Sequence, residues 1–150
     1  MPASGTPAFE IHEAVASDYD AIVDVWRESG LSAKTTGRDG REAFERQLRA
    51  FPDSYLVAEV DGRVVGVVLG SHDGRKGWIN RLAVVPSHRR LGIGLALAQS
   101  CDSALRAASM EIVAAMIEEG NDASEQLFRR LGYRSDVAVT YLRKLDRPDA

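Results

Sequence analysis

Cysteine is almost missing from this chain of 150 residues: Cys101 is the single thiol, so no internal disulfide can form. A lone thiol suits a reducing compartment, and the cytoplasm is the expected location. An excess of charge of one sign is missing too. Lys and Arg number 19 against 22 Asp and Glu, a net charge of −3, and the two signs are mixed along the chain. That balance argues against a nucleic-acid-binding domain, which carries a concentrated positive excess. Long hydrophobic runs are absent: the apolar segments are strand-sized, so none is expected to span a membrane. Residues 1–7 have neither a basic region nor an apolar core, so no secretory leader is expected there. Repeats, linkers and low-complexity tracts are absent as well. The length then suits one domain with a respectable core.

What is present is a regular succession of patterns. Phe9 and Ile11 alternate with polar residues, which predicts a first strand. A helix is expected from Ser17 to about Ser29, with Ile22, Val23, Val25 and Trp26 as its apolar face. A second should start at Asp39 and turn Phe44 and Leu48 inward. Residues 54–60 and 63–71 read as strands joined at Asp61-Gly62, a strong hairpin signal. A turn over 72–77 feeds another strand over 78–85, and 111–117 reads as an apolar strand. Asn121 suits a helix cap, Gly132 suits the far end of that helix, and 133–145 reads as a closing strand bent near Ser135-Asp136. One α/β domain is the economical reading.

The most informative stretch is Arg89-Arg90-Leu91-Gly92-Ile93-Gly94. The apolar strand Trp78-Ile79-Asn80-Arg81-Leu82-Ala83-Val84-Val85 precedes it. After it, Ile93, Leu97, Cys101 and Leu105 recur four apart on one helical face. A basic, glycine-punctuated turn into a helix presents unpaired N–H groups and the positive end of the helix dipole, which suits a phosphate-bearing ligand. The absence of a following Gly-Lys-Ser/Thr argues against a P-loop. The dinucleotide fingerprint needs a glycine where Leu97 stands.

Arg89-x-x-Gly92-x-Gly94 after Leu82-Ala83-Val84-Val85-Pro86 resembles the acyl-CoA signature of the GNAT superfamily of N-acetyltransferases. Val60-Asp61-Gly62-Arg63-Val64-Val65-Gly66 resembles that family's central hairpin, and Asn121 to Tyr133 its late helix and following strand. The likeness runs from about residue 9 to residue 145. Within the superfamily, Val57-Ala58-Glu59-Val60, the 70–77 turn and Glu119-x-Asn121-Asp122 look closest to a small bacterial YpeA-type branch. The resemblance implies one domain over 8–146, with flexible tails at 1–7 and 147–150. Its fold would be α/β (α+β), with a central mixed, mostly antiparallel sheet of six or seven strands flanked by about four helices.

The resemblance further implies acetyl-CoA as cosubstrate and no metal. Backbone groups of Leu82, Ala83 and Val84 would meet pantetheine. The turn residues Arg89, Arg90, Leu91, Gly92, Ile93 and Gly94 would hold the pyrophosphate, and Asn121 and Phe128 would lie further along the ligand. The Val84 N–H would donate to the thioester carbonyl. Trp26, Leu31, Thr35 and Thr36 would wall the acceptor cleft. The customary acid and base positions of the family match Trp78, Met116 and Phe128, none of which ionises. Glu119 and Glu118, or His72, are then the candidates for relaying protons, with Tyr141 as a replacement acid.

Cys101, on the apolar stripe, is expected to be a structural thiol, which favours direct transfer in a ternary complex. The expected reaction is acetyl transfer to a primary amine, a small molecule first and a protein lysine or N-terminus next. A module of the same fold that holds acyl-CoA with little transfer is the alternative. Beyond acetyl-CoA and the amine, no nucleic acid or membrane partner is expected, and a homodimer is left open.

Overall fold

Both residues of the Asp61-Gly62 turn take left-handed backbone, φ 51 and 78, as a two-residue hairpin with right-twisted strands requires. The computed structural model, which describes residues 8–150, uses this turn to join β2 (Tyr55–Val60) to β3 (Arg63–His72). β1 (Glu10–Glu13) lies antiparallel beside β2, and β4 (Lys76–Val84) antiparallel beside β3. β5 (Ile112–Ala115) pairs with β4 in parallel, so the sheet order is β1-β2-β3-β4-β5. The expected tail at 1–7 lies outside the described residues.

Helices cover both faces. α3 (Ile93–Ala107) makes the crossover from β4 to β5, and glycines lie beneath it. A Cβ on Gly66 would stand 2.9 Å from Leu97 Cδ1, one on Gly70 2.5 Å from Cys101 Sγ, and one on Gly77 3.1 Å from Leu105 Cδ1. The four-residue spacing seen in the sequence is thus the spacing of contacts along a glycine-floored groove. Leu97, Cys101 and Leu105 are fully or almost fully buried there, each aliphatic side chain stabilising the fold by about 1.5–3 kcal/mol.

α1 (Tyr19–Glu28) and α2 (Arg41–Ala50) cover the other face. Phe44 joins them to the sheet, with its ring 5.4 Å from Tyr19 and 5.2 Å, edge-on, from Tyr55. Strand alternation puts Tyr55, Leu69 and Asn80 side by side on this face. α4 (Asp122–Arg130) packs at the start of α3, where Leu127 Cδ1 lies 3.2 Å from where a Gly94 Cβ would be.

Three expectations are corrected. The sheet of the described residues has five strands, not six or seven. Residues 133–145 form no strand, and Val137, Val139, Tyr141 and Leu142 are exposed. Alternation makes a strand only beside a free edge. Here the end of the chain is drawn away instead: Thr36 donates to Asp149 at 3.0 Å, Arg147 bonds the Thr36 carbonyl and Arg38 bonds Ala150. Finally, the second helix starts at Arg41 with Gly40 as its cap. Asp39 is held in the preceding connection, where its carboxylate accepts the Lys34 N–H at 2.7 Å.

Candidate functional site

β4 outlasts its partner. Pairing with β5 ends at Ile79 opposite Ala115, while β4 runs on to Val84 beside β3 alone. The register of β3 against β4 also slips between Val67 and Leu69, where Arg81 adopts φ 57. This is a β-bulge, which bends a strand and re-aims its side chains. Beyond it, Val85 donates to Val65 O at 2.9 Å. Adjacent strand residues point their N–H groups in opposite directions. The amide of Val84, and with it that of Leu82, therefore faces the side that β5 has left. The result is a short open edge of main-chain donors and acceptors, while Ala83 stays buried and Leu82 and Val84 pack against the core.

The edge runs into the glycine turn. Arg90 and Gly92 both take left-handed backbone, φ 64 and 82. That costs a non-glycine residue about 1–2 kcal/mol, so the turn is held in shape against its own preference. The Arg89 amide closes the preceding Pro86–His88 turn on Pro86 O at 3.4 Å, and the first α3 bond runs from Ala96 to Gly92 O at 3.0 Å. Among the described residues, no backbone carbonyl accepts from Arg90, Leu91, Gly92, Ile93, Gly94 or Leu95. Several N–H groups thus converge at a helix start, the arrangement that binds anions. Arg89 turns its side chain back, Nε 3.3 Å from Val84 O. A Cβ on Gly92 would meet nothing within 4 Å, so the space over the turn is open. Edge and turn together fit a long ligand with a peptide-like stem and a phosphate group.

The other expected residues are distributed unevenly. Asn121 caps α4, its Oδ1 accepting from Ser124 N at 3.3 Å. Phe128 is buried edge-on against Tyr133, ring centroids 5.1 Å apart. Glu118 and Glu119 are exposed between β5 and α4. His72 lies opposite Gly77, at the far end of β4 from Val84, its Nδ1 accepting from Gly74 N. Tyr141 is exposed in the irregular C-terminal segment. The structure brings neither of these last two to the open edge. Met116 is exposed just past β5, and Trp78 pairs with Ser71 in the sheet. Burial pushes the Cys101 thiol up to about 12, with Asp102 adding to the effect, so it holds its proton at neutral pH.

A cavity of about 440 Å³ opens on the α1–α2 face, and Trp26 is the one expected acceptor residue on its wall. Leu31, Thr35 and Thr36 lie in the α1–α2 connection without lining it. Arg38, Asp39, Tyr55, Asn80 and Arg81 line it and were not singled out from the sequence. Arg81 is central. Its guanidinium lies 4.3 Å from the centre of the Trp26 ring, donates to Ser32 O at 2.6 Å and stands 3.8 Å from the Asp39 carboxylate. Burial lowers its pKa, opposed by Asp39 and Tyr55, while burial raises that of Tyr55. A signal for this residue was present: Asn80-Arg81 puts two polar residues in succession inside an apolar strand, which regular alternation forbids and a bulge permits.

Residues 19–133 match the model of the acetyltransferase (GNAT) family. An acetyltransferase of Pectobacterium atrosepticum is 33% identical over 128 residues, covering 85% of this chain and 89% of that protein. One from Photorhabdus laumondii is 32% identical over 138 residues, covering 91% and 95%. Among solved structures, yncA of Salmonella typhimurium, a putative acetyltransferase with its cofactor acetyl-CoA, is 26% identical. It superimposes with a TM-score of 0.71 over 85% of this chain and 80% of that one. The PaiA N-acetyltransferase of Thermoplasma acidophilum, in complex with coenzyme A, shares the fold with a TM-score of 0.75 at 16% identity, over 87% and 93%.

Proposed function

The chain belongs to the GNAT family of acetyltransferases, and from that premise we propose that it transfers an acetyl group from acetyl-CoA to a primary amine by direct attack within a ternary complex. It is an acetyl-CoA-dependent acyltransferase, and its YpeA-type placement rests on the residues quoted above. The observation that carries the reading is the open edge of β4 leading into unpaired N–H groups at the start of α3.

Acetyl-CoA supplies an activated thioester, and the chain's own groups do the rest. Main-chain groups of Leu82 and Val84 accept and donate along pantetheine as a further strand would. N–H groups from Arg90 to Gly94, with the charge of Arg90 beside them, hold the pyrophosphate. Arg89 acts through its side chain, steadying the Val84 carbonyl. The Val84 N–H meets the thioester oxygen as negative charge builds on it during attack. Asn121 and Phe128 flank the ligand from α4.

Proton transfer needs little dedicated machinery on this reading. Positioning supplies about 7–11 kcal/mol in favourable cases, and a thiol with a pKa of roughly 8.5 leaves readily as thiolate. Glu118 and Glu119, both exposed, pass the amine's proton to solvent. Cys101, protonated and buried, supports transfer without a covalent enzyme intermediate. A small amine is the preferred acceptor, ahead of a protein lysine or N-terminus. The domain is taken as 8–146.

The test is calorimetric titration of acetyl-CoA into wild type and Gly92→Val. A β-branched residue at φ 82 is strained, so the turn must rearrange and measurable binding is expected to vanish while the protein still melts cooperatively. Unchanged affinity in the folded variant would remove the turn from the site. Binding without turnover across an amine panel would favour the module that holds acyl-CoA and transfers little.

A further inference from the structure

Past Ile79, β4 is held by β3 alone, and there its register slips and Arg81 takes φ 57. Glycine adopts such a backbone freely, whereas arginine does so against its preference. What arginine adds is a side chain that crosses to the α1–α2 connection. Its Nη2 donates to Ser32 O at 2.6 Å and stands 3.8 Å from Asp39 Oδ2, with the guanidinium 4.3 Å from the centre of the Trp26 ring. Among the described residues, no other residue of the sheet has a hydrogen bond or ion pair to residues 31–40.

Bonding continues inward from that contact. The same Asp39 oxygen accepts from the Lys34 amide at 2.7 Å, and the Lys34 carbonyl accepts from the amides of Gly37 and Asp39 at 2.9 and 3.0 Å. The Tyr19 hydroxyl donates to Asp39 O at 2.7 Å, and the Leu31 amide to Trp26 O at 2.9 Å. The connection is thus one bonded unit with Arg81 at its corner, and Leu31, Thr35 and Thr36 ride on it.

Stability alone is a weak reason for this arrangement. The side chains of Arg81 and Asp39 are only 23% and 10% exposed, and a pair so far from water gains little over apolar side chains of the same size. Its place in the chain gives a better reason. Leu82, the next residue, is the first whose main chain is assigned to pantetheine. A ligand that completes β4 on its open side removes freedom from the backbone at the bulge, and the guanidinium carries that constraint to the connection.

We propose that Arg81 is a positioning residue that couples the two substrate sites: filling the open edge of β4 firms the α1–α2 connection through it. The inference rests on the reading that lays acyl-CoA along β4. Coupling of this kind is reciprocal, so an ordered connection favours the filled edge by the same factor.

Coenzyme A is the probe, so that no transfer intervenes. Calorimetry gives its affinity, and NMR hydrogen exchange at the Lys34, Gly37 and Asp39 amides follows the connection with and without it. In wild type these amides are expected to slow by about 3-fold or more at saturation. Arg81→Gly removes the side chain while suiting φ 57, so the bulge persists. Its amides should exchange no more slowly than those of unliganded wild type and should ignore coenzyme A. The affinity for coenzyme A should fall by no more than the slowing that is lost, about 3-fold. Arg81→Lys keeps the charge without the planar fork and should lie between the two. Amides of Val67 and Val68 in β3 should be unmoved throughout. Connection amides indifferent to coenzyme A in wild type would overturn the proposal, as would slowing that survives in Arg81→Gly. Loss of protection at Val67 and Val68 in both variants would also overturn it, since Arg81 would then be holding the sheet. Wild type that binds no coenzyme A would overturn the acyl-CoA reading and the coupling with it. Coupling without thiol release from acetyl-CoA across an amine panel would uphold the role of Arg81 while overturning the transferase reading.

Discussion

Cys101 lies beneath α3 with its sulfur 3.6 Å from the Ser54 carbonyl oxygen, and desolvation keeps it in the thiol form. Thiolate is the nucleophile in acyl transfer to cysteine, so this residue has no access to that chemistry near neutral pH. Cys101→Ala is therefore expected to lower stability by about 1–2 kcal/mol through lost packing and to leave turnover unchanged. An acetylated Cys101 peptide found by mass spectrometry during turnover would show the opposite. The structural role of Cys101 was readable from its place on the apolar stripe, and so was the cap at Asn121. Arg81 was not read. Its meaning depends on a bulge that turns two successive side chains to one face, and on Trp26 and Asp39, which come from distant segments.

The seat of α3 is the clearest case of an element shaped by what is small. Gly70→Ala would drive a methyl group to 2.5 Å from Cys101 Sγ and 2.8 Å from Ser54 Cβ, and overpacking of this kind costs about 1–3 kcal/mol. Pairing it with Cys101→Ala removes one of the two clashes. The double variant should then be more stable in urea than the sum of the single losses predicts, by about 1 kcal/mol. Strict additivity would mean that the sulfur is not what α3 rests on. Element order, the hairpin and the helix stripes were all legible because period and turn chemistry are local. The closing strand was misread for a complementary reason. Val137, Val139 and Tyr141 alternate correctly, but alternation alone does not bring a segment to an edge, and 147–150 bond to the α1–α2 connection. The exposed strand edge beyond Ile79 had no sequence signature of its own. It follows from where β5 stops.

For the molecule as a whole, the thiol and the shifted tyrosines point in one direction. Burial raises the pKa of Cys101 from an ordinary 9.0 to about 12 and raises Tyr55 and Tyr19. Burial, followed by the bond to Asp102, raises Tyr133. In each case the folded state keeps a proton at a pH where the unfolded chain has released it. Their contribution to stability is then level below about pH 9 and falls as pH climbs toward about 12. Urea midpoints taken at about pH 7.5, 9 and 10.5 should show the decline, and Tyr133→Phe should flatten it. A midpoint that rises with pH would refute the assignment.

The bulge at Arg81 carries a wider consequence. On its edge β4 offers main chain, whose hydrogen bonding is the same whatever residue occupies the position. On its face it offers Asn80 and Arg81, where identity is everything. On the proposed reading, one strand thus speaks to its two substrates in different alphabets. Exchange of a face residue can then change the acceptor while the donor site stays as it was.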